Sequence, residues 1–192
     1  MDPPAPDGIA FGDVQVAPPA ARPWPPDQPG VQVQAWGDAD LARLPIFARE
    51  TALADATVWV QARRLNEAGG VLVGHHGLDA GREFVTVDAF LAAPKCQAGP
   101  AHLVFTHEAF AECEAAREQL DPSLAVVGWC HSHPGYGVFL SEADQFIHTQ
   151  FFPLPWQVAL VIDPRREELG FFRMAGGATT RTGFFLLGPA VA

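Results

Sequence analysis

From Leu124 to Cys130 the chain runs through apolar and β-branched residues for the length of one strand, and turn residues bound the run on both sides. Such a run predicts a strand buried on both faces. Gly69 to His75 and Trp156 to Ile162 have the same character. Between Glu83 and Phe90 the pattern is alternation instead, with Phe84, Thr86, Asp88 and Phe90 on one side and Val85, Val87 and Ala89 on the other. Val31 to Ala35 alternates too, and Ala101 to Phe105, Leu169 to Met174 and Thr182 to Leu187 are further strand candidates. Helical spacing predicts a helix over His107 to Leu120, capped by Thr106 and carrying Phe110, Cys113 and Arg117 near one face. The stretch from Arg43 to Asn66, rich in alanine, leucine and arginine, reads mainly as helix, interrupted at Pro45 and again near Thr57-Val58, and Gly37-Asp38-Ala39-Asp40 offers a helix start before it. Gly77 to Gly81, Asp121 to Ser123 and Asp163 to Arg166 are turns. Strands and helices mix without regular βαβ repetition and without an internal repeat. The expected class is therefore α+β, a curved, largely antiparallel mixed sheet flanked by helices.

Composition divides the chain unevenly. Residues 1–30 hold nine of the 18 prolines and little periodicity, which predicts a flexible or loosely draped segment ahead of one domain over 31–192. The net charge of −10 is spread rather than blocked, so neither nucleic acid nor an anionic membrane is expected as a partner. No basic region leads into an apolar run at the amino terminus, and no stretch reaches membrane-spanning length, so the expectation is a soluble cytoplasmic protein. Cys96, Cys113 and Cys130 make no CxxC pair and read as reduced thiols, the latter two buried.

Chemistry concentrates where the apolar run ends, in His131-Ser132-His133-Pro134. Alternation puts both imidazoles on one face of the strand, with Cys130 and Ser132 on the other, which disfavours His131 as the base for a Cys130 nucleophile and leaves Ser132 to bond backbone. Pro134 and Gly135 stop the strand, and Ser141-Glu142-Ala143-Asp144 opens a helix. That helix can carry the Asp144 carboxylate back towards the two histidines. Two imidazoles and a carboxylate suit zinc, and three protein ligands leave a fourth position for water. The same residues also read as a strand end followed by an ordinary Ser-x-x-acid helix cap, and the two readings can coexist. His148, four residues after Asp144, shares its helix face and stands as a neighbour of the site, a stand-in ligand or a surface histidine. His75, His76, His102 and His107 read as structural.

His131-Ser132-His133-Pro134 followed by Ser141-Glu142-Ala143-Asp144 resembles the signature of the JAMM (JAB1/MPN/Mov34) metalloproteases. In that family a glutamate precedes a glycine-containing strand, and Glu67-Ala68-Gly69-Gly70 supplies one, with Glu50 and Glu83 as substitutes. The resemblance spans roughly residues 67–174 and implies an MPN-type, cytidine-deaminase-like fold. It implies one zinc per chain on His131, His133 and Asp144, lowering the pKa of a water from about 15.7 towards about 7. It assigns Glu67 as the base that passes the proton to the departing amine. Ser141 becomes the donor to the oxyanion, a role that contributes about 2.7 to 4 kcal/mol.

The implied activity is a zinc isopeptidase or peptidase cutting after the C-terminal glycine of a ubiquitin-like modifier, in deconjugation or precursor processing. Eleven arginines against the single Lys95, with abundant alanine, glycine and proline, point to a bacterial source and a bacterial ubiquitin-like pathway. The alternatives are a peptidase acting on a sulfur-carrier adduct in biosynthesis and a non-catalytic scaffold of the same fold. A short connection after the metal helix leaves little room for insertions that select a linkage. The apolar loop Tyr136, Val138, Phe139 and Leu140 is expected either to meet the substrate tail or to pack beneath itself.

Overall fold

A computed structural model describes residues 18–100 and 102–190. In chain order the strands and helices are β1 (Ala20–Ala21), β2 (Val31–Trp36), β3 (Ile46–Arg49), α1 (Glu50–Gln61), β4 (Gly69–Asp79), β5 (Arg82–Ala92), β6 (Gln97–Gly99) and β7 (His102–Val104). Then come α2 (His107–Leu120), β8 (Ala125–Ser132), α3 (Glu142–Phe151), β9 (Val158–Asp163), β10 (Glu168–Ala175), β11 (Ala178–Thr182) and β12 (Phe184–Pro189).

One mixed sheet runs β11-β10-β9-β8-β4-β5-β3-β12-β2, with β1 added beside the end of β4, and β6 and β7 form a separate hairpin. Most neighbours are antiparallel, while β8 with β9, β3 with β5, β3 with β12 and the short β1 with β4 are parallel. The α+β class read from the sequence is the class observed.

The apolar runs are buried on both faces because helices cover both. On one face Ala52, Leu53, Ala56 and Val60 of α1 pack against Leu72, Val87, Cys130 and Leu160. On the other, Ala109 and Cys113 of α2 meet Val71 and Val73, and Phe152 just past α3 packs with Trp129, Ala159 and Val161. Consecutive strand residues Trp129 and Cys130 thus enter different cores, as period two requires.

Three expectations change. The stretch from Arg43 to Asn66 is not mainly helix, since Ile46 to Arg49 form β3 between β5 and β12 and the helix starts only at Glu50. Gly37 to Asp40 opens no helix. Of the proline-rich stretch 1–30, residues 1–17 lie outside the described residues, but residues 18–30 are docked rather than loosely draped. Trp24 is buried against Phe47 and Phe84, the Arg82 guanidinium lies over its indole, and Ala20–Ala21 pair with Gly77–Leu78. The aromatic ring, not the prolines, decides that segment. Ala101, expected to begin a strand, lies outside the described residues, and β7 starts at His102.

Candidate metal centre

The centre is built by the register between β4 and β8. These strands pair antiparallel with Gly69 opposite His131 and Gly70 opposite Cys130. Beyond the last sheet pair the zipper continues, because the Ser132 N–H donates to the Ala68 carbonyl at 2.9 Å and the Ala68 N–H to Ser132 Oγ at 2.9 Å. One further step places Glu67 opposite His133, and the Glu67 Oε1 oxygen stands 4.0 Å from His133 Nε2. Gly69 makes this approach possible, since a Cβ there would lie 2.3 Å from the Cys130 carbonyl oxygen. Ser132 faces away from the histidines and bonds backbone, as its position in the alternation predicts.

His131 and His133 leave the same face. The Trp129 indole lies flat against His131, with centroids 4.4 Å apart, and fixes the plane of that imidazole. The His133 N–H donates to the Ile162 carbonyl at 2.9 Å, tying the strand end to β9. Ser141 caps α3 in a full capping box, and the box delivers Asp144 to the histidines. Asp144 Oδ1 lies 3.3 Å from His131 Nε2, and Oδ2 lies 3.3 Å from His133 Nε2. The two Nε2 atoms are 3.1 Å apart.

These spacings fit a cation. Four-coordinate zinc with bonds of about 2.0–2.1 Å has ligand atoms about 3.3 Å apart, the edge of a tetrahedron. Among the described residues His131, His133 and Asp144 form the group that can hold a metal ion, and all three are buried. Two Nε2 atoms turned on one another beside a carboxylate are poorly satisfied by protein alone and well satisfied by a divalent ion between them.

The electrostatics follow from burial against pairing. Asp144 is desolvated, yet its bonds with His131 and then His133 hold its carboxyl well below the usual range. Burial pushes the pKa of His131 down. At His133 burial is opposed by the Asp144 hydrogen bond and by the charges of Asp144 and Glu67, and its pKa goes up. Desolvation raises Glu67 to about 7.

Each predicted site residue is therefore accounted for. Glu67, His131, His133 and Asp144 come together in one buried cluster. Ser141 is adjacent, but its hydroxyl is engaged, donating to Asp144 Oδ2 at 2.6 Å and accepting from the Asp144 N–H at 3.2 Å. Glu50 opens α1 and Glu83 pairs with His76 at the far end of the β4–β5 hairpin, so neither stands in for Glu67. Cys130 is fully buried and its thiol is pushed far up, which leaves no thiolate at the site. Burial takes Cys96 up to about 12.

His148 is not at the surface. It is fully buried beneath the centre and accepts a hydrogen bond from Trp129 Nε1 at 3.2 Å, and desolvation lowers it to about 4. The Trp129 ring thus links His148 to His131.

Asp163 escaped the sequence reading, which saw only a turn there. Its fully buried carboxylate ends β9 and accepts four backbone N–H groups: Gly135 at 2.8 Å, Gly137 at 2.7 Å, Arg165 at 2.9 Å and Arg166 at 3.2 Å. Gly135 and Gly137 have φ of +90° and +91°, conformations that spare glycine a side-chain clash and turn both N–H groups onto one acceptor. The only hint in the sequence is the pair of glycines flanking Tyr136. The apolar loop held this way splits its residues. Val138 and Leu140 pack inward, while Tyr136 and Phe139 are exposed and the Phe139 ring sits 4.6 Å from that of His133.

A mixed sheet that offers two histidines from a strand end, an aspartate from the following helix and a glutamate from the neighbouring antiparallel strand defines a JAB/MPN-type domain. The model of prokaryotic homologs of the JAB domain matches residues 50–173, and the chain belongs to that family. Its relatives include the NAD(+) hydrolase TcpA of Theionarchaea archaeon (strain DG-70-1), 43% identical over 60 residues, which are 31% of this chain and 18% of that protein. COP9 signalosome complex subunit 5 of Caenorhabditis elegans is 52% identical over 56 residues, 25% of this chain and 15% of the relative. The AMSH-like protease of Homo sapiens is 34% identical over 82 residues, 42% of this chain and 18% of the relative. The match thus spans less than a fifth of the length of these relatives. The solution structure of protein DSY2949 from Desulfitobacterium hafniense shares the fold, with a TM-score of 0.57, 19% identity, and coverage of 73% of this chain and 92% of that one. No helix among the described residues is long and apolar enough to cross a membrane.

Proposed function

We propose that this chain is a zinc-dependent peptidase that hydrolyses the amide or isopeptide bond after the C-terminal glycine of a ubiquitin-like protein. The observation that carries the reading is the register that sets the Glu67 carboxylate 4.0 Å from His133, beside a His-His-Asp cluster with metal-binding spacing. A structural helix cap needs no buried glutamate across the sheet. The AMSH-like protease, named as a protease, supports the peptidase part of the reading, and the ubiquitin-like substrate class is carried over from the motif's resemblance to the JAMM metalloproteases.

In this reading His131, His133 and Asp144 are the protein ligands. The bound ion supplies Lewis acidity, bringing the deprotonation of a water within reach of neutral pH. Glu67 takes the proton as attack proceeds and returns it to the amine as the carbon–nitrogen bond breaks. Its buried surroundings suit a carboxylate that must exist in both protonation states. The Ser141 hydroxyl, now turned to Asp144, rotates its proton to the scissile carbonyl oxygen as negative charge develops there. The Phe139 ring stands beside His133, with centroids 4.6 Å apart, and gives that side of the cluster an apolar neighbour.

Glu67→Gln keeps the shape and the neighbouring ligands but cannot accept a proton. It is expected to bind one zinc per chain and to lose at least about 100-fold in kcat on a ubiquitin-like protein fused through its terminal glycine to a second protein. Cleavage at the parent rate by that variant would remove Glu67 from the chemistry.

A further inference from the structure

A cleft of about 450 Å³ opens beside Glu67, between the end of α1 and the β6–β7 hairpin, and Arg63, Arg64, Trp59, Cys96 and Leu103 line it with Glu67 itself. The Glu67 N–H donates to the Gly99 carbonyl at 2.8 Å, so the hairpin wall is stapled to the same backbone that presents the glutamate. The cleft therefore meets the candidate centre at Glu67.

Its charge is the reverse of the molecule's. On a chain of net charge −10, two adjacent arginines stand in this cleft, and neither has a carboxylate partner among the described residues. Arg63 is held in place: its guanidinium lies 3.2 Å from the centroid of the Trp59 ring, and Nη1 donates to the Trp59 carbonyl at 3.2 Å. A stacked guanidinium keeps its remaining N–H donors free and loses little side-chain entropy on binding an anion. Across the centre the Arg165 side chain lies over Gly135 of the metal loop and makes no ion pair among the described residues.

We propose that Arg63 and Arg64 form a carboxylate subsite that selects substrates carrying a negative charge close to the scissile bond. This deepens the peptidase reading of the same centre and rests on it. Four residues of chain separate Arg63 from Glu67, at most about 14 Å between their Cα atoms, so the matching carboxylate lies within three or four residues of the bond that is cut. Two sources meet that requirement: an acidic residue in the modifier's tail, or the α-carboxylate of a single amino acid departing from the glycine.

The test uses zinc-loaded full chain and two series of short peptides ending in Gly-Gly. In the first the terminal glycine carries a neutral fluorescent amine, and aspartate, alanine or lysine occupies the positions just before Gly-Gly. In the second the tail is neutral and the glycine is joined to alanine or to alanine amide. Cleavage gives KM and kcat separately, and Kd is read on the zinc-loaded Glu67→Gln protein. The expectation is about a five-fold lower KM and Kd for the charged member of one series, with kcat little changed. Arg63→Glu and Arg64→Glu are expected to abolish that preference, and in the first series to transfer it to the lysine peptide. Preference in the first series assigns the tail, and preference in the second assigns the departing amino acid. Equal Kd across both series, including no measurable binding, overturns the subsite, and equal cleavage would do so while leaving the peptidase reading intact. Charge-dependent binding without cleavage would keep the subsite and sink the peptidase.

Discussion

Asp163 shows how a side chain outside the metal cluster sets its shape. Oδ1 accepts from Gly135, Arg165 and Arg166, while Oδ2 accepts from Gly137 at 2.7 Å and faces the Arg166 guanidinium. Burial opposes the charged form, but these N–H bonds hold the carboxyl below its usual range. Asp163→Asn keeps the volume and one acceptor, yet turns an amide N–H onto the Gly137 N–H. The buried donor then goes unpaired, and the variant is expected to lose about 1–3 kcal/mol of stability in urea unfolding. A stability equal to the parent's would show that the loop holds itself. The sequence marks Asp163 only as the start of a turn, which its bonds from Arg165 and Arg166 form, because the partners Gly135 and Gly137 lie on a loop that only the fold brings to it. The histidine pair was legible for the opposite reason, since period two alone puts His131 and His133 on one face. Of the alternatives for His148 the surface one fails, because its burial depends on Trp129, nineteen positions away in the chain.

At the scale of elements, the centre depends on the antiparallel register of β4 on β8. Shifting that register by one residue would turn Glu67 to the opposite face of the sheet and leave the His-His-Asp cluster without its partner. Gly69→Ala tests this, because its Cβ would fall 2.3 Å from the Cys130 carbonyl oxygen and 2.6 Å from the Leu103 side chain. The strand must move off β8, and the expected outcome is a loss of about 1–3 kcal/mol together with a fall in activity at full metal occupancy. Unchanged activity would mean that Glu67 does not depend on this contact. The pairing partner of a strand is not written in its own residues, so only the resemblance to a known family singled out Glu67. β3 was hidden differently. Ile46, Phe47 and Ala48 are all buried between two parallel neighbours, so the strand lacks alternation and merges with the helix-forming residues that follow it.

For the whole molecule, the sheet brings to one place groups spread from Glu67 to Asp144, nearly eighty residues apart, with α1 on one face and α2 and α3 on the other. Three of the four groups arrive at the end of β8 and on the helix that follows it, which is why that part of the centre could be read directly from the chain. The fourth, Glu67, rests on long-range pairing. An acidic molecule with arginines beside its centre is suited to a substrate whose charge is carried near the bond to be cut. Everything chemical in this account depends on one divalent ion held by His131, His133 and Asp144. The direct measurement is the zinc content of purified, catalytically active protein beside that of Asp144→Ala. One zinc per chain in the parent, with little or none in the variant and activity lost with it, is the expected result. Full activity in protein stripped of metal, or an undiminished zinc content in Asp144→Ala, would contradict it.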